Sequence, residues 1–495
     1  MNSCPIAFAL LMFACAAPAA AQTDSPPTPG LLRARKLTSD EARNAVLQAR
    51  SDTVAQLRLM GGKFVQEAQR LETLAPSVFL ERMATAPPVG PSTIAPVKPG
   101  TPPPTPSVNT YKGNGATTAH PAVALLLARE DGDDLYRAAC SGTLIRQNVV
   151  LTAAHCMCYS IYPQDNPNNG AACVNGVPGK PKSPMVKPDR WKVFFQHAGL
   201  RDVTQIIVNE QYTFSRTAVR DDLALLVLDK PVTEIDPPIF PAAVETVASF
   251  GPGEVVGYGY SAVQSGNGLA LPQLLQAGIK GVGRVTSDTC SSLTYLEPAA
   301  SLCSTYAPTQ NGSAAAVCEG DSGGPLWQPT GVGTAIGVTS GISTADCTII
   351  PTIGFQMATA FRRHNAWISE QLKSVPGTDV KGILPAFGDN LIPVADRRNI
   401  GSFNEAGYYK SGPITSEAQN RILATMNSSG SIQSFSVVEE GGKVLCKGTA
   451  GLSANLPNVN LCWATVKVGT KYQIVARGEG SQFLQYVVSM RPMGK

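Results

Sequence analysis

In this 495-residue chain, Val317-Cys318-Glu319-Gly320-Asp321-Ser322-Gly323-Gly324-Pro325 sets a serine between an acid and two glycines. Glycine on both sides lets the backbone approach a substrate closely and take angles that other residues resist. Ser322 can therefore present its hydroxyl beside backbone N–H groups that receive the charge of an acyl-transfer intermediate. A serine hydroxyl is a poor nucleophile near neutral pH and needs a base, and histidine is the side chain tuned for that. The chain has four histidines; His155, in Leu151-Thr152-Ala153-Ala154-His155-Cys156, follows the apolar run Val149-Val150-Leu151 and stands where a strand leaves the core. A carboxylate comes from Asp221-Asp222-Leu223-Ala224-Leu225-Leu226-Val227-Leu228, at the mouth of a buried strand. From there it can hold the imidazole tautomer and stabilise the imidazolium formed during reaction. Taken singly, each feature is ordinary: Ser322 a turn in a Gly-rich loop, His155 a surface histidine, the aspartates strand-edge charges. Their joint presence is not.

In the chain order His, Asp, Ser, these segments resemble the trypsin/chymotrypsin family of serine endopeptidases over roughly residues 108–373. The resemblance implies an all-β protease core of two antiparallel six-stranded barrels with a C-terminal helix and the site in the crevice between the barrels. It makes His155 the general base, Asp222 the acid that orients it and Ser322 the nucleophile, with the N–H groups of Gly320 and Ser322 as oxyanion hole. Asp221 competes for the acid role, but the family pattern of Asp, Leu, Ala, Leu selects Asp222. Counting back from Ser322 puts Ala316 at the base of the substrate pocket, and alignment on Val338 puts Thr339, Ser340 and Gly341 on its wall. Ser340 then stands where the family usually has tryptophan, leaving that wall open. A buried cation without a carboxylate partner is disfavoured, so small or medium apolar residues are expected before the cut; Glu319 near the rim is the feature that could reverse this. The intact His155, Asp222 and Ser322 speak against the alternative, a non-catalytic binding protein on the same scaffold.

The family also pairs the acid before the nucleophile, here Asp321, with an ammonium released when a propeptide is cut. Spacing from His120-Pro121-Ala122-Val123 puts that terminus near Val108, although Val108-Asn109-Thr110-Tyr111 departs from the Ile-Val-Gly-Gly start. Of twelve cysteines, Cys4 and Cys15 fall in a leader, which leaves ten and suggests five bridges in an exported protein. Family geometry implies Cys140–Cys156, Cys290–Cys303 and Cys318–Cys347. Cys158 and Cys173 remain in the insertion after His155, and Cys446 and Cys462 in the C-terminal region, so each of these pairs is local. A zinc reading of Cys156-Met157-Cys158 lacks a second ligand pair at the required spacing, so no metal is expected, and no cofactor.

The elements that must position these residues follow from composition. A chain of this length is expected to hold two or three folded units, and 39 prolines with 46 glycines read as β-rich with many turns. The net charge of +4 is not gathered into a basic stripe, which argues against nucleic acid as partner and leaves protein or peptide substrates. Residues 1–21 read as a signal peptide, with an apolar core from Ile6 to Cys15 and small residues Ala19-Ala20-Ala21 before Gln22. No stretch is long enough for a transmembrane segment, so a secreted protein, extracellular or periplasmic, is expected. Residues 22–85 are rich in helix formers, with a propeptide and a plain helical appendage as the two readings, and 86–107 form a Pro-rich linker. The protease domain is expected over 108–374. Residues 375–495 read as a small β-rich domain, whose candidate roles are binding of substrate or cell surface and assistance in export.

Overall fold

The structure is a computed structural model that describes residues 115–129, 132–158, 169–176, 183–214, 218–247, 251–259, 277–306, 317–328, 333–343, 353–377, 381–387, 397–416, 419–448, 455–479 and 482–492. The expected signal peptide, helical segment and Pro-rich linker lie outside the described residues. So do the proposed cut near Val108, Ala316 and Cys347.

Strand β1 is Gly115–Ala116, and the first barrel follows it. Strands β2 (Val123–Ala128), β3 (Arg137–Arg146), β4 (Val149–Thr152), β5 (Trp191–Phe195), β6 (Gly199–Val208) and β9 (Ala224–Leu228) close in the order β2-β3-β4-β9-β6-β5. Short helices α1 (Ala154–Cys158) and α2 (Asn169–Asn175) leave β4, and a ribbon of β7 (Thr213–Phe214) and β8 (Val219–Arg220) precedes β9. Side chains alternate across a strand, and β9 is apolar at every position because both its faces are covered. Ala224, Leu226 and Leu228 point into the first barrel. Leu223, Leu225 and Val227 join a second cluster with Val338, Phe355, Met357 and Ile368. The same division holds in β4, with Val150 on one side and Val149 and Leu151 on the other.

The second sheet runs β1-β11-β10-β13-β14-β15-β12, from β10 (Gly251–Gly257), β11 (Gly281–Thr289), β12 (Ser301–Tyr306), β13 (Pro325–Gln328), β14 (Thr334–Ile342) and β15 (Ile353–Ala358). A further β11–β12 pairing closes six of these strands into a barrel and leaves β1 as a seventh strand on β11. Helix α3 (Arg362–Ser374) packs back on the seam through His364 and Ile368, one turn apart on a single face. Disulfides Cys140–Cys156, Cys158–Cys173 and Cys290–Cys303 staple these elements, and Cys318 is also disulfide-bonded.

Beyond α3, β16 (Arg397–Ser402), β19 (Asn420–Ser428), β22 (Val459–Val466) and β24 (Phe483–Pro492) form a sheet in the order β16-β24-β19-β22. Strands β17 (Tyr408–Lys410), β20 (Ile432–Glu439), β21 (Val444–Lys447) and β23 (Lys471–Gly478) form another in the order β17-β23-β20-β21, with β18 (Ile414–Thr415) also on β23. A shared core of Phe403, Ile422, Met426, Phe435, Tyr472, Ile474 and Leu484 lies between them, and Cys446–Cys462 joins β21 to β22 across it. The described residues from Gly115 to Pro492 cluster as one compact unit. No helix among the described residues is long and apolar enough to cross a membrane.

Candidate active site

Asp222 lies just before β9, only 1% exposed, and reaches His155 in α1, the short helix that follows β4; β4 and β9 pair, which brings the two ends together. The backbone N–H of His155 donates to Asp222 Oδ1 at 2.8 Å, and its Nδ1 lies 2.7 Å from Asp222 Oδ2. With Nδ1–H donating to the carboxylate, the neutral tautomer carries its lone pair on Nε2, where a base must have it. Burial works against the imidazolium, but the Asp222 charge and hydrogen bond together outweigh it, and the His155 pKa is raised. Ser340 Oγ donates to Asp222 Oδ2 at 2.5 Å. Nearby Tyr212 is pushed far above its ordinary value, first by burial and then by the Asp222 charge.

Asp221 faces away from this pair. Its backbone is left-handed (φ 52°), and its carboxylate accepts from Arg363 Nε at 2.7 Å and lies 3.2 Å from His364 Nε2. Burial would raise its pKa, but the bonds from His364 and Arg363 prevail and lower it. Arg363 also donates to Glu297 at 2.6 Å. The two adjacent aspartates thus have separate partners, one on the imidazole and one on α3.

The loop that carries Ser322 is held by its glycines and by Ser141. Gly320 and Gly323 have φ of +91° and +82°, where an L side chain is strained. A Cβ on Gly323 would also collide with Thr152 Oγ1 and the Ser141 carbonyl, so the loop is seated directly on the turn that leads to His155. Ser141 N donates to Ser322 O and Ser141 Oγ to Gly320 O, each at 2.8 Å. Among the described residues the N–H groups of Gly320 and Ser322 meet no acceptor, and the Ser322 hydroxyl makes no hydrogen bond. The two amides thus remain available to a ligand. Asp321, between them, turns its carboxyl inward to accept from Gly259 N at 2.7 Å and Cys318 N at 2.9 Å. Gly259 stands so close that a Cβ there would lie 2.6 Å from Asp321 Cγ. Burial raises the Asp321 pKa to about 6, against the lowering effect of its two amide bonds. Burial also raises that of Glu319.

The residues expected on the pocket wall divide. Thr339 is buried and exchanges backbone bonds with the Ser322 loop, from Gly323 N to its carbonyl and from its N–H to Gly324 O, both 2.8 Å. Gly341 lies against the Phe355 ring, with 2.7 Å between Cζ and the position of a Cβ. Thr339 pairs with Gln356 and Gly341 with Phe355, so Ser340 is the extra residue of a bulge, and its hydroxyl reaches Asp222. Sequence reasoning missed both Ser340 in this role and Ser141. The available signal was a short polar residue buried inside an apolar strand, which needs a specific partner. Cys140, His155 and Cys156 also come together, but the two sulfurs are bonded to each other and are not the thiolates that a metal takes.

The trypsin family model matches residues 113–368. Chymotrypsin-like elastase family member 1 of Felis catus is 30% identical over 234 residues, 46% of this chain and 76% of that protein. Chymotrypsin-C of Mus musculus is 27% identical over 248 residues, 49% of this chain and 81% of its own length. Trypsin zeta of Drosophila erecta is 27% identical over 200 residues, 39% and 61% of the two chains. The matched span contains both barrels, the imidazole–carboxylate pair, the serine loop and the start of the terminal helix. On that span, and with that site, the chain belongs to the trypsin family of serine proteases.

Proposed function

We propose that the protein is an exported serine endopeptidase that hydrolyses peptide bonds through an acyl-enzyme. The observation that carries this reading is the two-point hold on His155 by the buried Asp222, which fixes the tautomer a base requires. His155 Nε2 takes the proton from Ser322 Oγ as that oxygen attacks the scissile carbonyl, and the same proton then goes to the leaving amine. The amides of Gly320 and Ser322 receive the oxyanion, and Asp222 stabilises the imidazolium. Water repeats the sequence on the acyl-enzyme and releases the acid. A fluorophosphonate probe tests the step directly, because only an activated serine is labelled. The wild type should react and Ser322→Ala should not, with peptide hydrolysis falling by roughly 10³-fold or more. An unlabelled, folded wild type would support the second reading, a binding protein on this scaffold.

The remaining features of this reading are small or medium apolar residues before the cut, removal of 1–21, and a processing step near Val108 that supplies an ammonium to Asp321. The protease portion is taken as 108–374, with 375–495 as a β-rich C-terminal domain. N-terminal sequencing of active, secreted protein checks the processing. A fully active chain that begins at Gln22 would remove it. A peptide-library profile dominated by Lys or Arg would remove the apolar preference.

A further inference from the structure

The C-terminal sheets meet the protease barrels through buried side-chain amides rather than through apolar contact alone. Gln485, on β24, is 0% exposed and every polar valence of its side chain is used. Its Nε2 donates to Thr117 O at 3.0 Å and Lys280 O at 2.9 Å. Its Oε1 accepts from Lys280 N at 2.9 Å, Gln196 Nε2 at 2.7 Å and Asn427 Nδ2 at 2.9 Å. Gln485 thus forms a rung between the end of β1 and the start of β11. Beside it Asn427, on β19 and 1% exposed, donates to Gly278 O at 2.7 Å. A buried amide with its full set of partners holds those partners in one register, since each lost bond would leave a desolvated group.

The backbone held in this way leads to the nucleophile loop. Gly278 N donates to Tyr258 O at 2.9 Å, so the Gly278 residue is gripped by Asn427 on one side and by the β10 end on the other. Tyr258 N donates to Ser141 Oγ at 2.8 Å, and that hydroxyl is the donor to Gly320 O. The next residue, Gly259, supplies one of the two amides that hold the Asp321 carboxyl. The C-terminal sheets are therefore joined by hydrogen bonds in series to the Gly320 carbonyl and the Asp321 carboxyl, which stand between the amides of Gly320 and Ser322.

We infer that Asn427 and Gln485 are positioning residues: seating of the C-terminal sheets sets Gly278–Lys280, and through Tyr258 and Gly259 it holds the Gly320–Ser322 amides in the orientation that receives an oxyanion. The inference rests on the reading of those amides as the catalytic site, but its structural half stands apart from activity. A continuous chain of contacts is not yet coupling, and coupling is what the experiment measures.

Hydrogen exchange at residues 257–259 and 318–324 is compared in wild type, Asn427→Leu, Gln485→Met and the control Thr425→Val. Thr425 lies on the same docking face and donates to the backbone O of Gln196, whose side-chain amide meets Gln485; that bond is no link in the series through Gly278, Lys280 and Tyr258, so Thr425→Val removes a docking bond and leaves the series intact. Asn427→Leu and Gln485→Met should speed exchange of the nucleophile-loop amides on the order of tenfold, within the range usual for coupled sites. They should also lower kcat and weaken a peptide boronate by a similar factor with KM little changed, whereas Thr425→Val should do none of this. Exchange rates and kcat in the two variants that match Thr425→Val, at equal distance below each Tm, overturn the inference. Should the substitutions prevent folding, native-state exchange of the wild type in low urea decides instead. Residues 318–324 should open in the same unit as 420–428, and protection that persists after those strands open refutes the coupling. A wild type inert to fluorophosphonate and peptide would overturn the protease reading, and the exchange result would still stand or fall by itself.

Discussion

Ser340→Ala perturbs the site at a point where the size of the effect can be worked out. In the wild type the Asp222 carboxylate accepts from His155 N, from His155 Nδ1 and from Ser340 Oγ, and it is almost wholly out of water. A hydrogen bond to a buried charged group contributes about 1.5–3 kcal/mol, so the alanine variant should lose stability of that order. The hydroxyl also draws negative charge from the carboxylate and turns its positive end toward the imidazole. Its removal makes Asp222 a stronger partner for the imidazolium, and the His155 pKa, already raised, should rise further. Most of the bond is common to neutral and charged His155. If about a third to a half of it is felt only by the imidazolium, the difference is ~0.5–1.5 kcal/mol, or about 0.4–1.1 pH units. His155 acts as base only when neutral, so the acid limb of kcat/KM should move to higher pH by that amount. The alkaline plateau should fall by less than about tenfold, because Asp222 keeps both bonds from His155. The assay is kcat/KM for a chromogenic peptide between about pH 5 and about pH 9, with urea unfolding for the stability term. An acid limb that stays in place or moves down would refute the electrostatic reasoning, whatever the stability change.

Gly323→Ala combines a left-handed backbone with collision against Thr152 and Ser141, and should cost more than about 3 kcal/mol, read as loss of soluble, cooperatively unfolding protein. A variant of normal Tm would show that the loop is less tightly seated than described. In the unprocessed chain, where no ammonium faces it, burial pushes the Asp321 carboxyl from 3.8 when unfolded to about 6 when folded. Between those values the unfolded chain has released a proton that the folded one retains. Stability should therefore fall as pH rises through this window, by about 3 kcal/mol for some two units. Asp321→Asn should remove that slope from urea unfolding curves, and an unchanged slope would assign it to another group. Asp221→Ala should cost ~2–4 kcal/mol by stranding His364 and Arg363 and by straining φ, with kcat/KM within about tenfold of wild type. Asp222→Ala should lower kcat/KM by roughly 10³-fold or more. Equal activity losses from the two aspartates would erase the division between them.

What could be read from the sequence was whatever chemistry ties to residue type. Ser322 between glycines, His155 after an apolar run and an acid ahead of Leu223–Leu228 are the residue types that acyl transfer would require, and they stand at neighbouring strand ends and loops. The choice between Asp221 and Asp222 needed the family pattern, because on the page both precede the same strand. Their separation depends on Arg363 and His364, more than a hundred residues downstream and on a helix. The bond from Ser340 to Asp222 could not be read from the sequence, because a bulge shifts the alternation by one residue and nothing in Val338–Gly341 marks the bulge. Ser141 was invisible for a related reason: its bonds to Gly320 and Tyr258 span 179 and 117 positions, and a lone serine in a strand carries no sign of either. The same holds for Gln485 and Asn427, ordinary strand residues until the sheet is laid against the barrels. The C-terminal region reads as β-rich in sequence, but nothing in it marks the residues that meet the barrels.

Strands β4 and β9 give alternate side chains to two different cores, and this has a consequence for how the molecule fails. A strand shared in this way cannot keep one barrel intact while the other melts, because loss of either partner exposes half of its apolar residues to water. The barrels should therefore unfold as a single cooperative event, and a chain divided between them should not yield two independent folded halves. His155 and Asp222 hang from the ends of those shared strands. Thermal inactivation and global unfolding should then follow one curve, with no warm-up interval in which the protein is folded but inert.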